Sequence, residues 1–142
     1  MDAIKSGMKI LVIDNTEQIT ASFLAIDEDA AFCADEIRGL NLAERNPALI
    51  LLNYAVRGEL TPDYIRLLIN ASPLGNNLVV VGHNASEDDI FRCLLAGAKG
   101  YQEIPTLPRY MCKMIHVIEQ GEAWISRKMV AKLLDAIREL SC

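Results

Sequence analysis

No stretch of this 142-residue sequence approaches the roughly 18 consecutive apolar residues of a membrane span, and Met1 to Lys9 carries no apolar signal core. Cysteine is sparse: Cys33, Cys93, Cys112 and Cys142 are far apart and form no C-x-x-C pair. Only His83 and His116 could add soft ligands, so a structural metal centre or a disulfide framework is not expected and the thiols read as reduced. Positive charge is in deficit, with 14 Lys and Arg against 19 Asp and Glu and a net charge of −5. That balance argues against a surface whose main business is tracking nucleic-acid phosphates. Glycine-rich phosphate loops are missing too, because Asp14-Asn15-Thr16 stands where a G-x-G-x-x-G would follow the first strand. The expectation is a soluble cytoplasmic protein without a membrane or direct DNA contact.

What the chain does have is aliphatic residues in short runs. Half of it is apolar, enough for one domain with a real core. Ile10–Ile13, Leu49–Leu52 and Leu78–Val81 are continuous apolar runs bounded by polar or turn residues, the pattern of strands buried on both faces. Ala30–Asp35 and Lys99–Glu103 are weaker strand candidates. Helical spacing fills the gaps. Ile19, Phe23 and Ile26 follow a possible Thr16 cap; Ile65, Leu68 and Ile69 follow Thr61-Pro62, read as an N-cap and first turn. Ser86-Glu87-Asp88-Asp89 resembles a capping box before Ile90, Leu94 and Leu95, with a stop near Gly97. Leu107, Met111, Met114, Ile115 and Ile118 form another stripe before Gly121. Between Asp35 and Pro47 only Ile37, Leu40 and Ala43 suggest a helix. Strands alternating with helices predict an α/β fold, a doubly wound five-stranded parallel sheet. Residues 8–121 supply it, and residues 122–142 add a linker and a tail helix striped by Val130, Leu133, Leu134, Ile137 and Leu140.

Lys9-Ile-Leu-Val-Ile-Asp14, Pro47-Ala-Leu-Ile-Leu-Leu-Asn53, Leu78-Val-Val-Val, Ala96-Gly-Ala-Lys-Gly-Tyr101 and Ile104-Pro105 resemble, in order and spacing, the segments of the CheY-like response-regulator receiver domain. Gly121-Glu-Ala-Trp-Ile-Ser-Arg-Lys128 is similar to the linker of LuxR/NarL-type transcription regulators. The resemblance implies a flavodoxin-like sheet, Mg²⁺ held by two acids after the first strand, phosphate taken by an Asp ending the third, and a hydroxyl residue and a Lys that sense it. Carried over by position, the acid pair falls on Asp14 and Asn15, the acceptor on Asn53, the hydroxyl residue on Gly82 and the Lys on Ile104, followed by Pro105. Only Asp14 and Pro105 keep the implied residue type.

Three would-be carboxylates thus become one, so Mg²⁺ binding is expected to be weak or absent and no cofactor is expected. An amide has no anionic oxygen to attack a phosphoryl donor. The expected molecule is a pseudo-receiver that is not an enzyme and works by protein contact, as a homodimer or with a partner. DNA would be met only by an output domain beyond this chain. Candidate interface residues are Phe91, Arg92, Tyr101, Arg109 and Tyr110, with Leu133 and Ile137 on the tail. Two alternatives stand beside this. Trp124-Ile125-Ser126-Arg127 resembles the aromatic-x-x-Arg stretch with which some degenerate receivers bind cyclic di-GMP, Trp124 stacking a guanine and Arg127 gripping phosphate or the base edge. The plainer reading is that Trp124 packs the tail helix onto the domain while Arg127 meets solvent. The other alternative is a phosphorylatable receiver whose acceptor is not Asn53. His83, past the third apolar run, reads as a loop residue without a nucleophile beside it.

Overall fold

The structure, a computed structural model, describes residues 10–19, 30–72 and 77–141. Five parallel strands form one sheet: β1 (Ile10–Ile13), β2 (Ala30–Cys33), β3 (Leu49–Asn53), β4 (Leu78–Gly82) and β5 (Gly100–Glu103), in the order β2-β1-β3-β4-β5. The helices are α1 (Glu36–Ala43), α2 (Thr61–Ala71), α3 (Glu87–Leu95), α4 (Leu107–Glu119) and α5 (Arg127–Ser141). The expected doubly wound sheet is present. β1, β3 and β4 are buried along their whole length because helices cover both faces, which is why their sequences do not alternate. Leu11, Ile13, Ile50, Leu52 and Val80 pack with α1, α2 and α3 on one face. Ile10, Val12, Leu51, Val79 and Val81 pack with Leu107, Met111, Met114 and Ile118 of α4 on the other.

The capping pattern explains the boundaries. Asp35, expected at the end of a strand, instead accepts from the Ile37 backbone N–H and starts α1, so β2 stops at Cys33. α1 turns Gly39, Leu42 and Ala43 inward and leaves Ile37 outside. Gly39 is needed there, because a Cβ would lie 2.9 Å from Ile13 and 2.5 Å from the Tyr64 hydroxyl. Thr61 is not the cap of α2; it is the first helical residue, and its buried hydroxyl donates back to the Gly58 carbonyl at 2.6 Å. Ser86 caps α3 as expected, accepting from the Asp89 N–H. The helix expected over Phe23 and Ile26 lies outside the described residues, as do Lys9 and Cys142.

Past Gly121 the chain returns to the sheet. Trp124 forms a one-residue parallel bridge with Gly100, its N–H donating to the Lys99 carbonyl and its carbonyl accepting from the Tyr101 N–H. Only glycine fits at 100, since a Cβ would sit 2.3 Å from the Trp124 carbonyl oxygen. α5 then lies across α3. Its inward contact is Met129, which is outside the stripe read from sequence; Val130, Leu134, Ile137 and Leu140 are exposed. Lys128 pairs with Glu87 at 2.6 Å and Lys132 with Asp88 at 2.7 Å, and the Lys132 ammonium lies over the Phe91 ring. No helix among the described residues is long and apolar enough to cross a membrane.

Candidate functional site

The carboxyl ends of β1 and β3 meet at one polar cluster, where open parallel sheets place ligands and chemistry. β1 delivers Asp14 and β3 delivers Asn53, and strand pairing through Ile13 and Leu52 aligns the two ends. Asn53 is buried and Asp14 nearly so. The Asn53 amide nitrogen donates to Asp14 Oδ1 at 2.7 Å and reaches the Thr16 hydroxyl at 3.2 Å, while its oxygen accepts from the Ala55 N–H at 2.9 Å. That last bond fixes the amide's orientation, with its donor end toward the carboxylate.

Both carboxylate oxygens of Asp14 accept hydrogen bonds. Oδ1 also accepts from the Thr16 N–H at 2.9 Å and the Thr16 hydroxyl at 2.7 Å, and Oδ2 accepts from the Ile19 N–H at 3.1 Å. Burial pushes its pKa up, but the bonds from Thr16, Asn53 and Ile19 together outweigh that and hold the carboxyl below its ordinary value of 3.8. One carboxylate charge is therefore balanced by four neutral donors. Asn15 is exposed and stays out of the cluster. A hard divalent cation needs several oxygen ligands, and these residues fit one poorly: the cluster brings a single carboxylate, whose Oδ1 already accepts three hydrogen bonds. Among the described residues no group of three His, Cys, Asp or Glu could hold a metal ion.

The other positions carried over from the resemblance surround this cluster without adding charge to it. Gly82 ends β4, and the space beside it is taken by Tyr101: a Cβ at 82 would lie 3.0 Å from the Tyr101 hydroxyl and 3.3 Å from a ring carbon. Ile104 opens a short 3-10 turn after β5 and packs half-buried against the α4-side core, with Pro105 next to it and exposed. No cation stands at that position. Sequence reasoning missed Thr16, read as a helix cap, which donates into the site; the Asp-x-Thr spacing of an Asx turn was the available signal.

The linker candidates lie elsewhere. Trp124 donates its indole N–H to Gln102 at 2.9 Å, and its ring is 6.2 Å from that of Tyr110, itself beside Arg109. Trp124 and Arg127 line one groove of about 830 Å³ with Tyr101, Lys113 and Glu122. Among the candidate contact residues, Arg92 pairs with Asp89 on α3, Leu133 is half-buried and Ile137 is exposed. His83 is exposed.

No protein-family model matches this sequence, and no curated protein matches it either. Solved structures do. A LuxR-family two-component response regulator from Aurantimonas sp. SI85-9A1 superposes with a TM-score of 0.68 at 16% identity, over 89% of this chain and 94% of that one. A LuxR-family DNA-binding response regulator from Silicibacter pomeroyi gives 0.66 at 19% identity, over 85% and 98%. A response regulator from Burkholderia pseudomallei, solved with a phosphorylated aspartic acid, a calcium ion and citrate, gives 0.64 at 14% identity, over 93% and 74%. The sheet order, the added helix and these superpositions agree that the chain has the fold of response-regulator receiver domains.

Proposed function

We propose that this chain is a receiver-type module of two-component signalling that does not accept phosphate and acts through protein contacts on an output domain. The observation that carries the proposal is the bond from Asn53 to Asp14. In a site built to take phosphate, the residue at the tip of the middle strand must be an ionised nucleophile, and its acidic neighbours must be free to hold a cation. Here the residue is a neutral donor and the neighbouring acid is consumed by it. An amide of nearly the same size keeps the site filled and its hydrogen bonds complete while removing the charge. A standard receiver shifts between two conformations when phosphorylated; this one lacks that input and rests in one state, or is biased by a partner. The test is incubation with acetyl phosphate and Mg²⁺ followed by intact mass. The proposal expects no phosphoryl adduct, and a stable adduct mapped to this cluster would overturn it.

The same proposal makes the contact a self-association or a partner contact, with α5 and the Arg109 and Tyr110 surface of α4 as the places to look. Exposed Val130, Leu134 and Leu140 support this, because an apolar stripe beyond the domain core is suited to helix pairing. A second reading keeps one specific observation in its favour: Trp124, Arg127 and Lys113 share a groove, as a cyclic dinucleotide would require. Against it, Trp124 is held by Gln102 and by both its backbone groups. Saturable dinucleotide binding that Arg127→Ala abolishes would establish that reading.

A further inference from the structure

The β4–α3 loop closes on a carboxylate from the neighbouring strand. Glu103 ends β5 and pairs in register with Gly82. Its Oε1 accepts from the Asn84 backbone N–H at 3.0 Å, and its Oε2 accepts from the Tyr101 hydroxyl. Asn84 has φ 61°, in the left-handed region, so this turn is one that a fixed tie helps to maintain. The Tyr101 ring lies over Gly82, in space that any larger residue at 82 would contest. Burial first, then the bond to Glu103, pushes the Tyr101 pKa up, so the phenol remains a donor. Beyond it, Tyr101 shares the wall of a cavity of about 90 Å³ with Ile90 of α3 and with Ile125, Ser126 and Met129, where α5 begins.

The geometry points to a built-in latch in which Glu103, a positioning residue, holds Tyr101 over Gly82 and ties down the β4–α3 loop, and so fixes where α5 sits. Two links connect the loop to the tail. One is Tyr101 itself, between Gly82 and the first residues of α5. The other is the first turn of α3, which follows the loop directly and carries Glu87 and Asp88, the partners of Lys128 and Lys132. Those exposed ion pairs contribute little by themselves, and Met129 is the one fully inward apolar contact of α5. The seat of the tail therefore depends on the loop being held. The carboxylate supplies from within the chain an acceptor for the loop N–H and for the phenol, and no external anion is needed. The latch stands on this geometry alone; its meaning for signalling rests on the reading proposed above.

Amide hydrogen exchange on the full chain tests it. Glu103→Ala removes an acceptor that makes two charge-assisted bonds, so exchange in residues 83–86 and in 127–133 should accelerate roughly tenfold or more while the β3 amides of Ile50 to Leu52 keep their protection. Glu103→Gln keeps one acceptor oxygen and should fall between. If Glu103→Ala loosens the whole domain, Tyr101→Phe retains the ring without the donor and should still release both segments. Acceleration confined to residues 83–86, or absent from both segments, overturns the latch. Phosphodonor labelling does not depend on Glu103, so failure of the latch and failure of the phosphate-free reading are distinguishable.

Discussion

Replacing Asn53 by Asp reverses the one interaction on which the site is built. The substitution removes a donor held 2.7 Å from a buried carboxylate and puts a second acceptor there. Losing a bond to a charged group costs about 1.5–3 kcal/mol. If both carboxyls stay ionised, two charges about 4 Å apart repel by about 4 kcal/mol at an effective dielectric constant near 20. The alternative is for one of them to stay protonated, which from an ordinary value near 3.9 costs about 4 kcal/mol at pH 7 and about 1.5 kcal/mol at pH 5. A protonated carboxyl can also donate to Asp14 as the amide does, which restores much of the bond. The expected deficit of Asn53→Asp is therefore about 3–5 kcal/mol at pH 7, shrinking by about half at pH 5. Urea unfolding followed by circular dichroism at both pH values, without divalent metal, reads it directly. Millimolar Mg²⁺ should stabilise the variant and leave the parent unchanged, because only the variant has two carboxylates facing each other. A variant as stable as the parent at pH 7, or a deficit that does not shrink with acid, would refute the reasoning.

Other outcomes follow from neighbouring contacts. Asp14 is held below 3.8 in the fold, so its contribution is fully present above that ordinary value and is lost as pH falls through the depressed folded value; Asp14→Asn should flatten the acid limb of the parent's stability curve, measured by thermal melts across that range. Gly100→Ala would place a Cβ against the Trp124 carbonyl and should cost about 2 kcal/mol or more while displacing the linker; because Trp124 is the single tryptophan, its fluorescence should shift red. Arg127→Ala, at an exposed position without an ion pair among the described residues, should change stability by less than about 0.5 kcal/mol in the same urea assay. Burial pushes the Cys93 thiol up to about 12, so Cys93 should resist thiol reagents at neutral pH while exposed Cys112 reacts.

Much of the fold was legible because strands buried on two faces write themselves as unbroken Ile, Leu and Val runs. β1, β3 and β4 were placed to within a residue of their ends. Edge elements were harder. Asp35 is a preferred cap type, but with only Ile37, Leu40 and Ala43 marking the helix after it, the cap was easily taken for the end of the strand. The hydroxyl of Thr61 turned back to a preceding carbonyl because a 3-10 turn, Gly58–Leu60, stands before the helix. For the tail, the stripe of five apolar residues marked one helix face without naming what covers it; α5 meets α3 through Met129 and leaves Val130, Leu134, Ile137 and Leu140 exposed, an outcome decided by tertiary contacts. The same holds at the site. That Asn53 ends a central strand could be read from sequence, whereas the direction of its amide depends on Ala55 and Asp14 arriving from different parts of the chain. Glu103 was missed for a mixed reason: Tyr101 lies two residues before it on the same strand face, a spacing open to sequence reading, whereas Asn84 reaches it only through the register of β4 and β5.

The central claim is that a neutral amide has taken the place of a charge and is committed to Asp14. The most direct measurement is an NMR titration of the Asn53 side-chain amide with Mg²⁺ and then beryllofluoride. The account predicts two resolved amide protons, one slow to exchange in its bond to Asp14, and no movement of either with metal or phosphate mimic. Saturable shifts of those signals at millimolar Mg²⁺ or on adding beryllofluoride would contradict it.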